Sequence, residues 1–76
     1  MKLPIVSGNQ IIKMLEKAGF QVTRQKGSHV SLHKKLDDGS TILVVVPRKR
    51  EMKKGTLLSI IKQARMTREE FIGKIR

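Results

Sequence analysis

Residues 41 to 46 read TILVVV and are followed by Pro47. A run dominated by β-branched side chains loses rotamer freedom in a helix and packs well on a pleated surface, so it is expected to be a well-buried strand. Pro47 is expected to end it, because proline has no N–H for the ladder. A strand needs partners, and the chain upstream supplies two. FQVTRQK (20–26) and HVSLHK (29–34) alternate with period two on either side of Gly27-Ser28, and DDGS (37–40) turns the chain into TILVVV. Three consecutive strands with short connections predict an antiparallel meander.

Helices flank the strands. In SGNQIIKMLEKAGF (7–20), Ser7 and Gln10 have capping-box spacing, Ile11, Ile12, Leu15 and Ala18 form an apolar stripe, and Gly19 suits the position after the helix end. After the basic stretch RKREMKK (48–54), Gly55-Thr56 opens a second helix with Leu57, Leu58, Ile61 and Ala64 on one face. Thr67 and Glu70 repeat the capping-box spacing ahead of a short third helix that buries Phe71, Ile72 and Ile75. With no internal repeat and no linker, residues 1–76 form one expected domain, α-β-β-β-α(-α). That is a small two-layer α+β fold: a three-stranded antiparallel sheet with helices packed on one face and the other face open.

The core of such a domain is thin, since a chain this short buries only about 60% of the surface it exposes when unfolded. No cysteine is present to staple it or to hold zinc by thiolates, which fits a reducing, cytoplasmic setting. The apolar run at the N-terminus, residues 3–6 with Pro4 inside it, is too short for a signal peptide, and no segment approaches the roughly 20 apolar residues of a membrane span. Seventeen Lys and Arg against six Asp and Glu give a formal charge of +11, a field that attracts polyanions. A membrane-surface helix would want bulky aromatics opposite its basic face, and this chain has no Trp and two Phe. Nucleic acid is the expected partner. The same shortage of aromatics argues against base stacking of the RRM or OB type, leaving recognition by backbone charge and helix shape.

Register decides where His29 lies. A two-residue turn at Gly27-Ser28, of type II′ with Gly first, sets Lys26 opposite His29. A three-residue loop over Lys26 to Ser28 sets Gln25 opposite His29 and Val22 opposite Leu32. Phe20, Val22, Val30 and Leu32 then share one face, while Gln21, Thr23, Gln25, His29, Ser31 and His33 share the other. The second register is favoured because it separates apolar from polar residues, although it leaves Arg24 near the apolar side. In both, His29 is exposed.

An exposed imidazole is the side chain best matched to proton transfer near neutral pH, and Arg24, Lys26, Lys34 and Lys35 are its neighbours in sequence. An RNA 2′-hydroxyl is a natural proton donor to it, with lysines or arginines stabilising the charge on the attacked phosphate. His33, four strand positions on, lies about 13 Å away, too far to share a zinc ion with His29. No metal or other cofactor is expected. The basic loop, Arg48, Lys49, Arg50, Lys53 and Lys54, abuts a helix N-terminus, where free N–H groups favour an anion.

The stretches LEKAGFQVTRQKGSHVSL (15–32), VVPRKREMKKGTLLSIIKQA (45–64) and TREEF (67–71) carry G-F, R-x-K-G-S-H, V-P and K-x-G-T-L in order. From about Ile11 to Ile75 the chain resembles the HicA (YcfA-like) mRNA interferase toxins of HicA/HicB toxin–antitoxin systems. The resemblance implies a double-stranded-RNA-binding-domain-like fold and a metal-independent endoribonuclease that cleaves mRNA and blocks translation. It also implies a cognate HicB-like antitoxin that covers the active site. The family's catalytic histidine falls on His29, and Arg24, Lys26, Ser28, Lys34, Arg48, Lys49, Lys53 and Lys54 are the candidate RNA-binding residues. Many relatives carry a further histidine where Val30 stands, another where Lys49 stands, and glycine where Arg65 stands. Two other functions fit the charge: a non-catalytic double-stranded-RNA-binding module, and a protein whose positive surface only docks an acidic partner.

Overall fold

The computed structural model describes residues 3–75. In chain order it contains α1 (Gly8–Lys17), β1 (Gln21–Lys26), β2 (His29–Lys35), β3 (Thr41–Pro47), α2 (Lys54–Gln63) and α3 (Arg68–Ile75). The three strands form one antiparallel sheet in the order β1-β2-β3. This is the expected small α+β arrangement, compatible with a double-stranded-RNA-binding-like fold.

Local sequence accounts for the helix ends. Ser7 caps α1: its hydroxyl accepts from Gln10 N–H at 3.2 Å while Gln10 Oε1 accepts from Ser7 N–H at 2.8 Å. Thr67 and Glu70 make the same reciprocal pair at the start of α3, at 3.0 and 3.1 Å. Two donors aimed at the Glu70 carboxylate, the Thr67 N–H first and its hydroxyl second, hold its pKa below the ordinary value of 4.5. At the other end of α1, Gly19 N–H donates to Glu16 C=O and Phe20 N–H to Leu15 C=O, with Gly19 at φ +99°. That is a Schellman closure. The end of α2 repeats it, Arg65 N–H to Lys62 C=O and Met66 N–H to Ile61 C=O, both at 3.1 Å. Here the left-handed position, φ +56°, is taken by Arg65.

Val6, Ile11, Ile12, Met14, Leu15 and Phe20 meet Val30, Leu32, Ile42, Val44 and Val46 beneath Leu57, Ile60, Ile61, Ala64 and Phe71 in one apolar cluster. The apolar stripe of α2 differs from expectation: Ile60 is buried and Leu58 only partly. Ile72 and Ile75 are also half-buried, leaving Phe71 as the side chain that anchors α3. On the helix side of β3, Ile42, Val44 and Val46 are buried; on the other, Leu43 is 50% exposed, Val45 half-buried and Pro47 buried. The β-branched run predicted a well-buried strand, and it is one on the side that the helices cover.

Pro47 is the last residue of β3, as expected. It is paired with His29, and the next residue, Arg48, donates N–H to Ser28 C=O at 2.7 Å. On β3, Val45 N–H reaches the Gln63 Oε1 of α2 rather than β2, so odd-numbered residues direct their donors to the outer edge. Pro47 falls at such a position, where a missing donor costs the ladder nothing.

Candidate nucleic-acid interface

The β1–β2 hairpin builds the face on which His29 stands. At the turn the pairs are Lys26–His29, Gln25–Val30 and Arg24–Ser31; beyond them come Val22–Leu32 and Gln21–His33, with a bulge between Val22 and Arg24. Gly27 has φ +58°, and Ser28 is not among the positive-φ residues, which fits the type II′ two-residue turn. The favoured three-residue loop is therefore corrected. Val22 still reaches Leu32, as that register required, because Thr23 is accommodated as the extra residue. The chain meets both demands, apolar residues over Leu32 and basic residues beside His29, by inserting one unpaired position. Val22 itself, on the edge strand, stays 43% exposed.

Partners directly opposite share a face, and the face alternates along a strand. Val30, Leu32, Val44 and Val46 lie under the helices, so His29, Lys26, Arg24, Ser31, His33, Val45 and Pro47 lie on the open side. Arg24, expected near the apolar side, is two pairs along from the histidine, on the same face. His29, Lys26, Arg24 and the turn residue Ser28 are all exposed. His33 is half-buried, and its Nδ1 is hydrogen-bonded to the Thr23 hydroxyl.

The segment after β3 closes the same end of the molecule. Gly8 N–H donates to Lys49 C=O at 2.8 Å and Lys49 N–H to Pro47 C=O at 3.0 Å. A Cβ on Gly8 would stand 2.1 Å from the Pro47 oxygen, so only glycine lets α1 begin there. Arg48 turns away from His29. Its guanidinium donates to Asn9 Oδ1 at 2.6 Å and to Gln25 Oε1 at 3.4 Å, joining α1 to the end of β1. Lys49 is exposed beside it.

The remaining candidates lie elsewhere. Lys34 is paired with Ile42, on the helix side of the sheet, and its ammonium sits 5.7 Å from the Phe20 ring centroid. It is not part of the His29 face. Lys53 is the residue before α2 and offers that helix no side-chain cap; with Lys54 it lines a separate groove beside Leu3, Pro4, Ile5 and Leu57. Thr23, Asn9 and Gln25 contribute without having been singled out from the sequence. Among the described residues no three His, Asp or Glu side chains converge as a metal site would need, and no helix is long and apolar enough to cross a membrane.

An exposed imidazole with one lysine opposite it and an arginine two pairs further on, on the same face, can take a proton from a ligand whose anionic group those cations hold. A family model described as the HicA toxin of bacterial toxin–antitoxin matches residues 8–66, spanning α1, the sheet and α2. Among curated proteins none matches the chain.

Proposed function

Because the chain belongs to the HicA toxin family of bacterial toxin–antitoxin systems, we propose that it is an endoribonuclease whose general base is His29. Lys26 and Arg24 hold the non-bridging oxygens of the scissile phosphate. His29 removes the 2′-hydroxyl proton, the 2′-oxygen attacks the adjacent phosphorus, the bond to the 5′-oxygen breaks, and that oxygen takes the proton held by His29. The products are a 2′,3′-cyclic phosphate and a 5′-hydroxyl; no water, metal or cofactor enters that step. The observation that supports this reading is the Lys26–His29 pair on the sheet face that carries no helix.

Cleavage of mRNA would stop translation. Family membership implies a cognate antitoxin, and a HicB-like protein laid over the open sheet face would block RNA from His29 and mask the charge there. The setting for both is the cytoplasm. The test is to incubate the purified protein with end-labelled RNA, with and without EDTA. Fragments ending in cyclic phosphate, formed equally with EDTA present, are expected. RNA bound but uncut would instead make this a non-catalytic RNA-binding module, and neither binding nor cutting would leave only a basic docking surface.

A further inference from the structure

Thr23 is the extra residue of the β1–β2 ladder, without a partner of its own between the Val22–Leu32 and Arg24–Ser31 pairs. Its hydroxyl crosses to β2 at two points, donating to Ser31 C=O at 3.4 Å and sharing a hydrogen bond with His33 Nδ1. Two anchors on one exposed side chain fix where the surplus residue sits. Its place matters because a neighbouring register is one residue away. Were the Val22–Leu32 alignment to run unbroken to the turn, Thr23 would pair with Ser31, Arg24 with Val30 and Gln25 with His29. Arg24 would then face the helices and Lys26 would fall into the loop, stripping His29 of both cations.

We propose that Thr23 and His33 form a clip that holds the bulge, and that the held bulge brings Arg24 and Lys26 to the His29 face while Val22 stays over Leu32. Thr23 and His33 are thus positioning residues, which touch no RNA and act through the strand register. The link to catalysis rests on the reading of His29 as the base; the link to register does not.

The experiment compares Thr23→Val, Thr23→Ser, His33→Phe and a chain lacking Thr23. Register is read from the cross-strand nuclear Overhauser contact between Lys26 and His29, and activity from RNA cleavage. Thr23→Val and His33→Phe should weaken that contact and lower kcat/KM roughly tenfold or more, since small displacements of binding groups are costly. Thr23→Ser keeps the hydroxyl and should restore both readouts. In the chain lacking Thr23 the pairs Val22–Leu32, Arg24–Ser31 and Lys26–His29 form one regular ladder with no surplus residue to hold. That chain should keep register and cleavage, and adding His33→Phe to it should change neither. An intact Lys26–His29 contact in Thr23→Val overturns the proposal. So does loss of cleavage in the shortened chain with its register intact, because Thr23 would then act on RNA directly. Should the wild-type protein cleave no RNA, the function proposed above fails, and the register readings alone decide between clip and no clip.

Discussion

Arg65→Gly should stabilise the protein. Arg65 is the non-glycine residue at positive φ among the described residues, and it occupies the same Schellman position that Gly19 fills at the end of α1. A Cβ in the left-handed region crowds the following carbonyl oxygen at a cost of roughly 1–2 kcal/mol. Glycine removes that crowding but adds freedom to the unfolded chain worth about 0.4–1 kcal/mol. The difference is a net gain of about 0.5–1 kcal/mol. At about 2.1 cal/mol/K per residue, a chain of 76 residues has an unfolding entropy of about 160 cal/mol/K, so Tm should rise by about 3–6 °C. Thermal unfolding followed by far-ultraviolet circular dichroism measures it, with Arg65→Ala as the control that keeps the Cβ and loses the guanidinium. Arg65→Ala should show none of the gain. An equal rise in both variants, or a fall in Arg65→Gly, would refute the strain argument and point to charge instead. Arg65 lies in a groove with Lys34 and Phe20, at the other end of β2 from His29, so cleavage should be unchanged.

Gly8→Ala, usually helpful in a helix, should destabilise by about 1–3 kcal/mol in urea unfolding, because the new methyl meets the Pro47 carbonyl at 2.1 Å. Arg48→Met should cost about 0.5–1.5 kcal/mol by releasing Asn9 and Gln25. Lys26→Met, with no such partners, should leave stability within about 0.5 kcal/mol while weakening RNA binding and flattening its salt dependence. Donors from Ser40, its hydroxyl first, depress the Asp38 pKa below 3.8, and those of Thr67 depress Glu70 below 4.5. Depressed carboxylate values mean a contribution fully present above those ordinary values and lost as pH falls through the lower folded ones. Urea midpoints should therefore drop on acidification below pH 4.5, and less so in Asp38→Asn/Glu70→Gln.

The order of elements, both capping boxes and the exposure of His29 were legible because each rests on residues within a few positions of one another. Strand parity also held the answer for Lys34: five positions from His29, it has to face the other way, a constraint that closeness in sequence obscured. The bulge was not legible. Each half of β1 fits a different register, and only their simultaneous pairing with β2 reveals that one residue must be surplus. Arg48 was a candidate RNA contact as part of the basic loop, and its bond to Asn9, 39 residues away, is one that nothing local announces. The run TILVVV marked a buried strand, although β-branched composition records a preference for sheet and not the number of faces covered. The glycine that the family resemblance sets where Arg65 stands suits the left-handed φ found there. The junction forms as glycine would form it, with the strain left in place.

The most direct measurement is the cleavage rate of His29→Ala against the wild-type protein on one labelled RNA, with the folded state of each checked by its backbone amide spectrum. A positioned general base contributes about 10²- to 10⁴-fold, and His29 is exposed and outside the apolar cluster. The variant should therefore keep its spectrum and lose cleavage by that factor. A folded variant that cuts RNA at the wild-type rate would contradict the account.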